Sequence, residues 1–206
     1  MSITIGPPHL FGSELSLLED VFRRDYRRYF EFGLGGSTLM AVRHGFDSIV
    51  AVDSDPSWVA AVKTHPEFSD AIKEGRAAIL HGNIGPTREW GNPQDESNLK
   101  LWPNYIAAGW REWAKRKSLP DIVFIDGRYR VSCAFSVVVA FGRERHGDGP
   151  MVLMHDFLDE RPAYRDVLKY YEIEQQEGSL VALKIRRESS STEALADLLT
   201  RQFDFG

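Results

Sequence analysis

The sequence predicts an α/β protein with a doubly wound, mostly parallel sheet of seven strands that ends in an antiparallel hairpin. Three observations support this fold class. Short apolar runs alternate with segments of helical periodicity from residue 29 onward. The runs are continuously apolar, which is typical of parallel strands that are covered on both faces. Near the C-terminal end, two short runs lie on either side of Gly178 and Ser179, as in a hairpin.

Local signals predict the individual elements in the order of the chain. Apolar runs bounded by glycine, proline or charged residues predict strands at residues 29–33, 49–52, 77–80, 122–125 and 151–154. The hairpin around Gly178 and Ser179 predicts strands at residues 172–176 and 180–185. Apolar residues at helical spacing predict helices at residues 14–28, 37–44, 102–113, 131–141 and 162–171. Pro56 begins a further helix, which Asp55 caps. Cys133 is expected to pack within the helix over residues 131–141 as a small apolar side chain.

Two neighbouring segments leave alternatives open. Residues 82–100 are rich in Gly, Pro, Asn and Asp and are long for a loop inside a compact domain, so we expect a lid or another mobile segment there. Trp102, Ile106, Trp110 and Trp113 follow at helical spacing. An aromatic stripe that faces the core is the favoured interpretation, and stacking against a ligand is the alternative.

Length and composition limit the function classes. The chain has 206 residues, which fits one domain over residues 1–206, and its formal net charge of −5 argues against a general nucleic-acid surface. Cys133 is the only cysteine, which excludes an intrachain disulfide and a thiolate-rich zinc site and favours a reducing, cytoplasmic location. No apolar run approaches the roughly 18 residues of a membrane span, and residues 1–11 do not resemble an export signal. We expect a small-molecule partner, and the oligomeric state is left open.

The turn after the first predicted strand carries the strongest functional signal. Glycines follow an acidic residue there, in the order Glu31, Gly33, Gly35 and Gly36. Glycine lets a ligand approach the backbone closely. Asp53 ends the second predicted strand about twenty residues later, where a carboxylate accepts hydrogen bonds from ribose hydroxyls. A nicotinamide-binding fingerprint requires a third glycine at the position of Thr38, so the spacing argues against NAD.

On these residues the chain resembles the class I S-adenosylmethionine-dependent methyltransferases. Their first motif is an acid, any residue, glycine, any residue, glycine and a small residue. The resemblance covers roughly residues 29–185 and implies a Rossmann-like methyltransferase fold, S-adenosylmethionine as cofactor and methyl transfer as the activity. It implies that the cofactor lies against Glu31 (methionine amino group), Gly33, Gly35, Gly36, Ser37, Asp53 (ribose hydroxyls), Asn83 (adenine) and Asp126.

A second polar group follows the fourth and fifth predicted strands. Asp126 and Gly127 end the fourth strand, and His155 and Asp156 end the fifth, so both pairs lie at the same edge of the sheet. On these residues the chain resembles the small O-methyltransferase-like branch of the family and related sugar-modifying methyltransferases, and in its metal-dependent members such carboxylates hold a divalent cation. Imidazole is a poor magnesium ligand, so we expect no metal and keep a divalent metal as the alternative. The favoured catalytic set is Asp126, His155 and Asp156. In it His155 removes a proton from the acceptor, and the carboxylate of Asp126 or Asp156 orients the imidazole.

Arg128 and Arg130 lie just beyond the fourth predicted strand. Their guanidinium groups suit a carboxylate or phosphate on the acceptor, and an equally supported alternative is that they pair with nearby aspartates to hold the loop. The expected acceptor is small and anionic or sugar-like, with O-methylation favoured. Two other functions remain open: an NAD-dependent oxidoreductase, and a methyltransferase-like binding module without turnover.

Overall fold

A seven-stranded sheet organises residues 4–142 and 149–204, the part of the chain that the computed structural model describes. Its spatial order is β3-β2-β1-β4-β5-β7-β6. The strands are β1 (Arg28–Phe32), β2 (Ser48–Asp53), β3 (Ala77–His81), β4 (Ile122–Ile125), β5 (Met151–Met154), β6 (Tyr171–Glu177) and β7 (Leu180–Ile185). Strands β1 to β5 pair in parallel, whereas β7 is antiparallel to both β5 and β6. The predicted fold class and its hairpin are confirmed.

Helices cover both faces of the sheet. They are α1 (Ser13–Phe22), α2 (Gly36–His44), α3 (Pro56–Thr64), α4 (Pro66–Lys73), α5 (Pro103–Arg116), α6 (Arg130–Phe141) and α7 (Ser191–Arg201). Short 3-10 helices occupy Glu89–Gly91, Glu96–Leu101 and Pro162–Lys169. Helices α1 to α4 pack on one face and α5 to α7 on the other, so the sheet separates two apolar cores. The parallel strands are buried on both sides, as their continuous apolar runs predicted.

Strand β1 contributes side chains to both cores. Tyr29 packs into the core with α1 and α2, and Phe30 packs into the core with α5 and α6. Because side chains alternate along a strand, Glu31 lies on the same face as Tyr29, whose hydroxyl donates a 2.9 Å hydrogen bond to the Glu31 carboxyl group. An acidic side chain is therefore buried in an apolar layer near the end of the central strand.

The aromatic stripe of α5 faces the core, as predicted. Trp102, which precedes the helix, is buried, as are Ile106 and Trp113 within it. Trp110 is half-buried, and its indole N–H donates a 2.8 Å hydrogen bond to Ser136 Oγ. Cys133 is fully buried in α6. Within the two described ranges, no helix is both long enough and apolar enough to cross a membrane.

The sequence prediction was wrong about the ends of two elements. The first helix ends at Phe22 rather than at residue 28, because Arg28 begins β1 and its guanidinium binds the Asp121 carboxylate. The segment predicted as a helix over residues 162–171 is a 3-10 helix, and it stops earlier because Tyr171 already belongs to β6. In both cases pairing in the sheet overrides the local helical pattern.

Two helices, α4 and α7, were not predicted. Helix α4 follows α3 after a single residue, His65, and begins at Pro66, so only this His-Pro step separates the two helices. Helix α7 fully buries only Ala194, but Ala194, Leu195, Leu198 and Leu199 lie at helical spacing, so its sequence did carry a helix signal. A second signal is the cap, since Ser190 Oγ accepts a 3.2 Å hydrogen bond from the Glu193 N–H.

Candidate functional site

A tight bend after β1 opens the carboxyl edge of the sheet. Gly33 has a φ of 129°, and its N–H donates a 2.9 Å hydrogen bond to the Val52 carbonyl in β2. A Cβ atom at Gly33 would lie 3.2 Å from the backbone nitrogen of Gly127, which follows β4. Both the backbone angle and this close approach favour glycine. The bend therefore joins the ends of β1, β2 and β4 without a side chain between them.

The start of α2 brings a distant segment to the same place. A Cβ atom at Gly36 would lie 2.3 Å from the carbonyl carbon of Pro7, so the N-terminal segment, residues 4–10, packs directly on this turn. In the described part of the chain, a Cβ atom at Gly35 would meet no atom within 4 Å. Gly36 therefore holds the N-terminal segment against the site, while Gly35 borders open space.

A cavity of about 690 Å³ lies at this edge of the sheet. The N-terminal segment, the bend after β1, the ends of β2, β4 and β5, and residues 90–92 form its walls. Every predicted site residue except Asn83 lines it: Glu31, Gly33, Gly35, Gly36, Ser37, Asp53, Asp126, Arg128, Arg130, His155 and Asp156. Ligand cavities commonly measure about 300–1,000 Å³, so the volume suits a nucleoside-sized molecule.

A larger cavity, of about 1,070 Å³, lies on the α5–α7 face and is lined by side chains such as Trp110, Leu119 and Leu198. None of the predicted site residues lines it. We assign function to the smaller cavity because its polar groups converge from several strand ends, which is where ligands bind in open α/β sheets.

Asn83 lies outside the smaller cavity. Its side chain is exposed, and Oδ1 accepts a 3.0 Å hydrogen bond from the Gly85 N–H, which closes a turn after β3. The cavity wall contains an aromatic residue that the sequence analysis missed, Trp58 of α3. Its indole N–H donates a 2.7 Å hydrogen bond to the Leu34 carbonyl, which fixes the ring beside the glycine-rich bend.

Glu31 is a buried carboxyl group in the cavity wall. It accepts hydrogen bonds from Ser37 Oγ at 2.5 Å and from Thr38 Oγ1 at 2.7 Å, in addition to the Tyr29 hydroxyl. Burial raises the pKa of Glu31 to about 8, although the hydroxyl donors lower it. The carboxyl group is therefore largely protonated near neutral pH unless a cation approaches it.

Asp53 is a second acid in the cavity wall. Burial raises the pKa of Asp53 to about 6, while hydrogen bonding from the Asp55 N–H and the charge of Arg128 lower it. The Asp55 N–H lies 2.8 Å from Asp53 Oδ1. A buried carboxylate of this kind is stabilised by further donors, and ligand hydroxyls would supply them.

The long loop over residues 82–100 is bound to the site at two points. Ser54 Oγ donates a 2.8 Å hydrogen bond to the Gly91 carbonyl, and Arg128 Nη1 donates one of 3.0 Å to Asn92 Oδ1. Arg128 Nε is buried and has no hydrogen-bond partner among the described residues. The structure thus places Arg128 beside the loop and near enough to Asp53 to lower its pKa.

His155 and Asp126 form a second polar group in the cavity wall. His155 Nδ1 lies 3.0 Å from Asp126 Oδ1, and Nε2 lies 3.7 Å from Glu14 Oε2. Burial lowers the pKa of His155, but the hydrogen bond to Asp126 and the charges of Asp126 and Asp156 raise it above the ordinary value overall. Asp126 favours a proton on Nδ1, which leaves Nε2 to exchange a proton with a ligand.

Arg130 is 4% exposed and lies between two carboxylates. Its Nη2 atom is 3.2 Å from Asp126 Oδ1 and 3.0 Å from Asp156 Oδ2. Asp156 has a φ of 58°, a left-handed conformation that aspartate tolerates. Arg130 therefore forms ion pairs with two nearby aspartates, and a contact between Arg130 and an acceptor stays a prediction.

Several residues of the cavity wall were not predicted, namely residues 4–10, Trp58, Trp90, Tyr105 and Arg161. Trp90 is 78% exposed, and its ring contacts that of His9 edge-on with centroids 6.5 Å apart, so the long loop and the N-terminal segment meet here. Arg161 Nη2 lies 3.6 Å from Asp156 Oδ2, and its side chain is 44% exposed. These residues come from separate parts of the sequence, and no spacing rule connects them.

A solved structure shares this fold. A methyltransferase-like protein from Silicibacter pomeroyi DSS-3 matches with a TM-score of 0.76 and 24% identity, over 98% of this chain and 97% of that chain. The Rossmann-like methyltransferase fold that the sequence resemblance implied is thereby confirmed. No family model matches the chain, and no curated protein matches it in sequence.

Two further structures match more weakly. A ribosomal protein L11 methylase from Lactobacillus delbrueckii subsp. bulgaricus has a TM-score of 0.44 and 13% identity, over 86% of this chain and 79% of that chain. A TehB-like SAM-dependent methyltransferase from Corynebacterium glutamicum has a TM-score of 0.45 and 12% identity, over 84% and 86% of the two chains.

We expect His155 to titrate above pH 6.5, the ordinary value for histidine. Asp126→Asn should lower its titration midpoint by about one pH unit, because the substitution removes a negative charge at hydrogen-bond distance. NMR of the imidazole Cε1–H signals, assigned with His155→Gln, measures both values. Asp159→Asn, at an exposed aspartate paired with Arg165, is the matched control and should change nothing. An unchanged midpoint in the Asp126 variant would contradict the assignment.

Proposed function

We propose that the protein is an S-adenosylmethionine-dependent methyltransferase that acts on a small acceptor, with O-methylation favoured. The observation that carries the proposal is a single cavity in which the glycine-rich bend and Asp53 face the same open space. The confirmed fold supports the proposal, although a fold alone does not determine a function. A small-molecule partner and a cytoplasmic location belong to the same proposal.

The cavity wall fits the chemical groups of this cofactor. Asp53 would accept hydrogen bonds from the ribose hydroxyls, and Glu31 would face the methionine ammonium group. Gly35 borders open space, so the backbone there would admit the ligand without a steric conflict. Trp58 offers an aromatic surface in the wall, in place of the predicted contact from Asn83.

The bound cofactor would supply a methyl group that its sulfonium already activates, so the protein's task is to position the acceptor and remove a proton. His155 Nε2 would take the proton from the acceptor hydroxyl as the oxygen–carbon bond forms. Asp126 would hold the imidazole through Nδ1 and stabilise its protonated form. The raised pKa of His155 makes the neutral imidazole a stronger base, and it shifts the pH above which the imidazole can accept a proton upward from its ordinary value.

Fewer cationic side chains are available to contact an acceptor than the sequence predicts. Arg130 is bound by two carboxylates and Arg128 by the long loop. Arg161 is the better candidate for an anionic acceptor, because it lines the cavity and is half-exposed. It also donates a 2.8 Å hydrogen bond to the Tyr164 hydroxyl, which holds the guanidinium in place.

The two alternative functions gain no support from the sheet. The NAD-binding arrangement has the strand order 3-2-1-4-5-6, whereas here the antiparallel β7 lies between β5 and β6. A binding module without turnover would share the cavity, and methyl transfer to a small hydroxylated acceptor distinguishes it from an enzyme.

We expect S-adenosylhomocysteine, which keeps the ammonium group and the ribose, to bind with the release of about one proton at pH 7. The pKa of Glu31 is about 8 without ligand, so its carboxyl group is mostly protonated and ionises when the ammonium group arrives. Isothermal titration in buffers of different ionisation enthalpy measures the proton count.

The matched control for this titration is Glu31→Gln, which should bind more weakly and release almost no proton. Binding without proton release in the parent protein would refute the role of Glu31. No heat at millimolar ligand, with folded protein, would refute the proposed function itself.

We also expect Arg128→Gln to weaken S-adenosylhomocysteine binding by about tenfold, or ~1.4 kcal/mol. The substitution releases the long loop at Asn92 and removes a charge that lowers the pKa of Asp53. Arg161→Gln is the matched control, since it removes another arginine of the cavity wall and should leave the affinity unchanged. Equal losses of S-adenosylhomocysteine affinity in the two variants would contradict a role for Arg128 in cofactor binding.

A further inference from the structure

The cluster of Asp126, His155 and Asp156 has the composition of a metal site. Each residue offers one ligand atom, and the three atoms lie within 4.8 Å of one another. Carboxylate oxygens are the ligands that hard divalent cations prefer. In the metal-dependent methyltransferases that the sequence resembles, carboxylates after the fourth and fifth strands hold such a cation. The arrangement of the neighbouring side chains decides whether this chain does the same.

The guanidinium group of Arg130 lies where a cation between the two carboxylates would lie. Its Nη2 atom is 3.2 Å from Asp126 Oδ1 and 3.0 Å from Asp156 Oδ2. A divalent ion bound by the same oxygens, at about 2.0–2.6 Å from each, would need the same space. The fixed positive charge of the guanidinium would also repel a second cation.

Hydrogen bonds to three backbone carbonyls also hold Arg130 in this position. Nε donates a 3.0 Å hydrogen bond to the Gly127 carbonyl, Nη2 donates one of 3.1 Å to the Asp126 carbonyl, and Nη1 donates to the His155 carbonyl. Arg130 is the first residue of α6 and is buried, so moving it aside would leave an unpaired buried charge. The Arg130 guanidinium therefore supplies a permanent positive charge between the two carboxylates.

We infer that Arg130 replaces the divalent cation in this site, so that the carboxylate pair does not bind metal while Arg130 is present. Arg130 acts as a positioning residue: it fixes both carboxylates and, through the His155 carbonyl, the backbone of the residue that we propose as proton acceptor. That second role rests on the proposed function, whereas the exclusion of metal does not.

Mn²⁺ titration followed by electron paramagnetic resonance tests the inference on the protein without any cofactor. We titrate up to about 1 mM Mn²⁺, which is the weak end of the affinity range of protein sites for such ions. In this range the parent protein should bind no Mn²⁺ that the Asp156→Asn variant loses. Arg130→Met, which keeps an unbranched side chain but removes the guanidinium group and its charge, should gain one site that binds at least about tenfold more tightly. Circular dichroism verifies that each variant is folded.

Arg161→Met is the matched control, because Arg161 also lies near Asp156 but does not lie between the carboxylates. It should gain no site.

A site in the parent protein that Asp156→Asn removes would overturn the inference, and so would a folded Arg130→Met protein that does not bind Mn²⁺. If Arg130→Met does not fold, Arg130→Gln, which also lacks the charge, is titrated in its place with the same two outcomes. Because no cofactor is present, failure here is distinguishable from failure of S-adenosylhomocysteine to bind.

Discussion

The approach of Gly33 to Gly127 is the constraint on which the rest of the site depends. A Cβ atom at Gly33 would lie 3.2 Å from the Gly127 nitrogen, and one at Gly127 would lie 2.0 Å from the Tyr105 hydroxyl. Because both positions are glycine, the backbones that leave β1 and β4 come into contact. The polar groups that follow β2, β4 and β5 then face one cavity.

Charge compensation divides this cavity into two parts. Glu31 is buried and Asp53 is half-buried, both have raised pKa values, and neither forms a salt bridge with a described residue. Asp126 and Asp156, by contrast, share the buried guanidinium of Arg130. A ligand with an ammonium group and free hydroxyls would stabilise the first part, whereas the second part needs no added cation. This asymmetry is what we expect of a site for a cationic nucleoside cofactor beside a metal-free acceptor site.

The sequence predicted the features that depend on local pattern. Continuous apolar runs identified the parallel strands, and the order of Glu31, Gly33 and Gly35 identified the bend. It did not predict what depends on chain folding: the N-terminal segment on the bend, or the choice of partners for Arg128 and Arg130. An arginine after a strand has the same local pattern whether it binds an acceptor or a neighbouring aspartate. The burial of Arg130 and its distance to Asp156 become known only from the folded chain.

The most direct test of the central claim is a crystal structure of the protein with S-adenosylhomocysteine. We predict that the ribose hydroxyls lie within hydrogen-bond distance of the Asp53 carboxylate and that the amino acid end of the ligand lies along the bend, next to Glu31. A ligand bound elsewhere, or a bend whose hollow is filled by the protein's own side chains in the crystal, would contradict the account.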